Sequence, residues 1–275
     1  MFEQPKKDID FVDHPRAYER AKSVLEQDRI DMESFSDLYG QEVVTADLEY
    51  VERMEEKFSN PLDSQSRILK EKAEVLEAII SREADQNMWF GENSAIILTS
   101  KFDDIKNGID AVIEFEKEEG ISTLGLAVDV TFGNAVGKKM DKIEQSIREG
   151  KKTSVKYFES ELGDFRGELR NIAKVIVGVD GRTEAELENF FAERKGSDFA
   201  NHQVQLQILE EIIIQCEYFK SIAEEVRREN VFKSYDRALK IISKLLEERK
   251  EVVSDTGERD SFLLKLKTHI KRKSY

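Results

Sequence analysis

At 275 residues, 39% hydrophobic and 36% charged, the chain is long enough for one large domain, or a core with additions, under a heavily charged surface. A net charge of −14 argues against a surface generally attractive to polyanions, and the single Cys216 excludes an intramolecular disulfide. No apolar run reaches the ~18 residues of a membrane span, and MFEQPKKDIDF has no signal-like apolar stretch, so a cytoplasmic protein without a membrane partner is expected.

The first sixty residues read as short acidic helices, RAYERAKSVLEQ and TADLEYVERMEEKF, which predict an acidic helical extension over 1–62 ending at Pro61 and SNPLDSQS. From Ser66, the residues Leu69, Ala73, Leu76 and Ile80 recur at helical spacing, predicting a helix that ends near Asn87. The pattern then changes to a period of two. AIILTSKF and IDAVIEF read as strands around a turn at DDIKNG, and EKEEG forms a second turn before the strand TLGLAVDVTF. In that third strand Leu124, Leu126, Val128, Val130 and Phe132 share one face; Gly125, Ala127, Asp129 and Thr131 share the other and leave space beside it. Its nearly continuous apolar or small residues predict a central position in the sheet.

A helix is expected over 134–149, with Val136, Met140, Ile143 and Ile147 on one side. KTSVKYFES reads as a short strand and NIAKVIVGVD as a strong one, and helices are expected over 183–192, 201–229, 231–250 and 259–273. This order predicts an α/β core over 63–200 with a central mixed sheet of four or more strands, followed by a C-terminal helical region over 201–275. Charge is graded along the chain. Residues 1–94 carry 12 Lys+Arg against 23 Asp+Glu, whereas residues 201–275 carry 15 against 13. Two basic stretches stand out: seven basic against three acidic residues over 134–156, and five against none in KLKTHIKRKSY. An acidic protein with such stretches can hold a polyanion only along a defined path.

Asp110 and Asp129 raise the chemical question, because a carboxylate inside an apolar strand pattern is hard to solvate and needs a partner. If the second and third strands pair, the two side chains converge at one end of the sheet, where they repel each other unless a cation lies between them. Hard oxygen ligands suit Mg²⁺ or Mn²⁺. The alternative is that each aspartate caps a turn or pairs with a lysine.

These features, a helix, a three-stranded meander bearing GID and VDVT, a helix and a fourth strand, resemble the PD-(D/E)XK nucleases, the restriction-endonuclease-like superfamily, over roughly Ser66 to Asp180. The resemblance implies that Asp110 and Asp129 bind a divalent metal that activates water to cleave a phosphodiester of DNA or RNA. The family's lysine, two residues past the second acid, is Thr131 here, so either activity is lost or the amine comes from elsewhere. Lys138 and Lys139 begin the following helix, whose start points back to the strand end, and Thr131 itself can bond a metal-bound water. Lys139 is preferred because it shares the side of Val136 and Ile143.

The family often adds an acid from the first helix. At about 100° per residue Glu83 falls inside the apolar stripe and Glu77 at its margin. Asp103-Asp104 reads as a turn organiser. Lys151, Lys152 and Lys156 are expected to track a nucleic-acid backbone, and the acidic N-terminal helices to cover the groove or bind a protein partner. A noncatalytic scaffold on a degenerate nuclease-like core is the alternative, favoured by the missing lysine and the net charge.

Overall fold

The computed structural model describes residues 13–58, 63–116, 124–132 and 136–273. The expected break at Pro61 and the expected turn EKEEG, all but its first residue Glu116, lie outside them. Helices α1 (His14–Asp28), α2 (Ser36–Tyr39) and α3 (Gln41–Phe58) precede α4 (Ser64–Ala78), which passes through a π-turn at Ile79–Glu83 into the short α5 (Ala84–Gln86). Strand β1 (Ser94–Leu98), helix α6 (Lys101–Asn107), β2 (Ala111–Phe115), β3 (Leu124–Phe132) and α7 (Val136–Glu149) follow. Then come β4 (Ser154–Glu159), β5 (Arg166–Arg170), β6 (Ala173–Val179), α8 (Gly181–Glu193), α9 (Gly196–Ala200), α10 (Val204–Glu225), α11 (Glu229–Val252) and α12 (Ser261–Lys273).

The sheet is mixed and four-stranded, in the order β1-β2-β3-β6. β1 to β3 run antiparallel and β6 lies parallel to β3, so β3 is central as its composition predicts. A parallel neighbour requires a crossover, and α7 leads it. Leu126, Val128 and Val130 face the main core together with Leu76 of α4, Met140 of α7 and Leu209 and Ile212 of α10. Ala17, Ala21 and Val24 of α1 belong to this same core.

Three local expectations are revised. DDIKNG is not a turn but the end of helix α6, which Ser100 caps by accepting from Asp103 N and which Gly108 closes in the left-handed conformation. The strand β5 was not anticipated; it pairs with β4 in a separate two-stranded sheet. That hairpin fills the small-residue face of β3. A Cβ on Gly125 would meet Leu169 Cδ2 at 2.7 Å, and Ala127 packs in a second core with Val155, Phe158 and Ile172. Small residues there admit a packed layer, and only the Asp129 end stays open.

Candidate metal and nucleic-acid site

Asp110 immediately precedes β2, and its backbone N donates to Val128 O at 2.9 Å, one position out of the Ala111↔Val128 register. Asp110 and Asp129 both line the same cleft at this end of the sheet. One Asp110 oxygen accepts from Val130 N at 2.6 Å.

The two aspartates nonetheless serve different groups. One oxygen from each of Glu77, Asp104 and Asp110 lies within 4.8 Å of the other two, so α4, α6 and the start of β2 converge on a three-carboxylate cluster. Arg29, just beyond α1, bridges two members: Nη2 donates to Glu77 at 2.6 Å, and Nη1 to Asp104 at 3.3 Å and to Thr99 O at 3.1 Å. Burial pushes Asp110 well above the usual carboxylate range, and Glu77, Asp104 and Asp129 push the same way against Lys139. Burial likewise lifts Glu77 to about 7 despite the opposing Arg29.

Asp129 is held by cations instead. Its Oδ1 accepts from Lys139 Nζ of α7, which also reaches Val130 O at 3.4 Å, and its Oδ2 lies 3.7 Å from Lys174 Nζ of β6. Lys174 donates to Asn107 O at 2.9 Å. Burial lowers the Lys174 pKa, and the charge of Asp129 opposes that fall.

These groups form one end of a cleft of about 810 Å³. Seven lysines and six carboxylates line it, so its wall is slightly basic on a chain of net charge −14. Lys106, Lys142, Lys151 and Lys152 stand along its sides, and no residue of α1 to α3 lines it.

Lys139 is therefore where the helix geometry predicts, against Asp129, while Lys138 is exposed and does not line the cleft. Lys151 and Lys152 line the cleft; Lys156 does not, because its ammonium pairs with Asp47 and sits over the rings of Tyr39, Phe102 and Tyr157. Thr131 is buried within the sheet and does not line the cleft.

The two helical glutamates exchange ranks. Glu77 joins the cluster, whereas Glu83 is turned toward α1 and pairs with Arg20 at 2.6 Å. The π-turn explains this. One extra residue per turn shifts the helical phase by about 100°, so a uniform wheel misplaces everything beyond Ala78. Asp103 does organise its surroundings, accepting from Lys156 N at 2.8 Å and Tyr157 N at 3.0 Å, but its neighbour Asp104 faces the cleft.

Sequence reasoning missed Arg29 and Lys174. Arg29 carries no local signal, because α1 and α4 are brought together only by the tertiary fold. Lys174 does: it is the only charged residue in NIAKVIV, within a strand parallel to the one carrying Asp129. No family model, curated protein or solved structure matches the chain.

Proposed function

We propose that the chain is a divalent-metal-dependent hydrolase of nucleic-acid phosphodiesters, built on a core of the restriction-endonuclease-like type. One observation carries the reading: at one end of β2 and β3, a cluster of three carboxylates lies beside an aspartate held by two lysines, in a cleft with lysine walls. A meander with a parallel fourth strand beside the central one supports the fold assignment.

The residues fit Mg²⁺ or Mn²⁺. Glu77, Asp104 and Asp110 offer only oxygen donors, and once all three are ionised their charge with Arg29 counted is −2, which a divalent ion offsets. When bound, the ion supplies Lewis acidity and a more acidic water. Everything else is done by the chain. Val130 N–H fixes the Asp110 carboxylate, Arg29 holds Glu77 and Asp104 apart, and Asp129 aims the Lys139 ammonium at the strand end. Lys139 then offsets charge developing on the phosphoryl oxygens. Lys174 Nζ, with its lowered pKa, is the amine better suited to move a proton. Lys142, Lys151 and Lys152 neutralise flanking phosphates without reading bases.

The test is cleavage of single- and double-stranded oligonucleotides with Mg²⁺, with Mn²⁺ and with chelator. Lys139→Ala should lower turnover about 10²- to 10⁴-fold and change substrate affinity far less. Undiminished cleavage by that variant transfers the role to Lys174, and no cleavage under any divalent metal overturns the reading.

A noncatalytic scaffold is the second reading, and Arg29 favours it, since a guanidinium already pairs with two of the three acids. On that reading calorimetry detects no divalent binding.

A further inference from the structure

No residue of the basic stretch over 265–273 lines the cleft; that stretch lies in α12, which packs beside α7. Phe262, Leu263 and Leu266 are buried, so the apolar side of the helix is already used by the fold. Its other side is basic. Lys267, Lys271 and Arg272 are exposed, and among the described residues none of the three has an ion-pair partner, whereas His269 and Lys273 both meet Asp141 of α7. No acidic residue occurs in the helix.

A groove of about 500 Å³ runs between α12 and the first turn of α7, and Gly137, Thr268 and Arg272 are among its lining. That turn is also where α7 reaches the site, because Lys139 lies on the neighbouring side of the same helix against Asp129. Lys138, in the first turn of α7, is exposed, and Lys142 one turn on lines the cleft. A strand leaving the cleft at the Asp129 end would thus cross the start of α7 and meet further unpaired cations.

We propose that α12 is a second polyanion-contacting surface, which holds the nucleic-acid strand that emerges from the cleft over the first turn of α7. The inference rests on the nucleic-acid reading of the cleft and adds where the substrate continues. A membrane is the weaker occupant. An interfacial helix inserts an apolar face, and here Phe262, Leu263 and Leu266 of that face are in the core, leaving the single exposed Leu264. Contacts of this kind are electrostatic and blind to sequence, so they add affinity for long substrates only.

The experiment measures binding of fluorescent single-stranded oligonucleotides of about 4 and about 16 nucleotides, the span of common single-strand site sizes, as a function of salt. The variant is Lys267→Gln/Lys271→Gln/Arg272→Gln, checked for an unchanged melting temperature. Three lost phosphate contacts on a single strand should reduce the salt slope for the long oligonucleotide by about 2 and its affinity at 0.1 M salt on the order of 100-fold, with the short one unaffected. A second variant, Lys142→Gln/Lys152→Gln, should weaken both lengths.

If the α12 variant binds both lengths like the unmutated chain while the cleft variant loses both, the inference is overturned and the cleft reading stands. If only the α12 variant loses binding, the cleft reading falls and the inference, which rests on it, falls with it. No binding of either oligonucleotide by the unmutated protein overturns both. Retained oligonucleotide binding with lost sedimentation on phosphatidylserine vesicles assigns α12 to a membrane and overturns the inference.

Discussion

Replacing Arg29 with glutamine tests how the acid cluster is held. The arginine side chain is 8% exposed and reaches Glu77, Asp104 and the Thr99 carbonyl, so the substitution leaves two carboxylates in a poorly solvated site without their cation. Removing one partner from such a buried pair costs about 3–5 kcal/mol. In a chain of this size that lowers the melting temperature by roughly 6–20 °C. The loss depends on pH with a definite sign. Glu77 stands at about 7, above its ordinary 4.5, so its protonated form belongs to the folded state. A raised folded pKa contributes stability that is full below the unfolded value and disappears as pH rises through the folded one. The difference between Arg29→Gln and the unmutated chain should therefore be largest at pH 8 and shrink toward pH 5, where the orphaned carboxyls take up protons. Urea denaturation at both pH values measures it. Saturating Mg²⁺ should restore part of the pH 8 loss by binding the folded state alone. An equal deficit at both pH values, or one below about 1 kcal/mol at pH 8, refutes the assignment of Arg29 as the cluster's counter-ion.

Two aspartates that look alike in sequence should respond oppositely at pH 8. Asp110→Asn removes a carboxylate crowded by three acids while an amide oxygen keeps the Val130 N–H bond, so urea melts should show a gain of about 1–4 kcal/mol that fades as pH falls toward 3.8, with divalent binding lost by calorimetry. Asp129→Asn removes the partner of Lys139 and Lys174 and should instead cost about 1–3 kcal/mol, contrary to the relief of repulsion that the sequence pattern suggests. Gly178→Ala should lower the melting temperature, because its Cβ would strike the Thr131 carbonyl of the paired strand and lie 2.7 Å from the Phe262 ring; an overpacking loss of about 1–3 kcal/mol is expected.

The sheet was legible because its strands carry period-two patterns long enough to name the central one; Asp110 and Asp129 do line one cleft, but Asp110 clusters with Glu77 and Asp104, which strand pairing does not announce. Lys139 was legible for a similar reason, since three- and four-residue spacings place it beside Val136 and Ile143. What failed was whatever depends on partners far apart in sequence. The small face of β3 read as empty because nothing local in Gly125 and Ala127 announces that Leu169 and Ile172 cover them. Lys156 read as a backbone contact because its acidic partner, Asp47, lies 109 positions away. Asp104 was grouped with Asp103 by adjacency, although successive helical residues point about 100° apart.

The π-turn at Ile79–Glu83 has a consequence for how this chain tolerates change in length. It works as a clutch between two stretches of helix. Glu77 ahead of it faces the acid cluster, while Glu83 and Trp89 behind it face Arg20 and the Phe199 carbonyl. Deleting any single residue from this turn would restore a uniform helix and turn one stretch by about 100° against the other. Either the carboxylate would leave the cleft or the indole would leave the core. None of these five consecutive positions can thus be dropped without uncoupling the site from the interior that supports it.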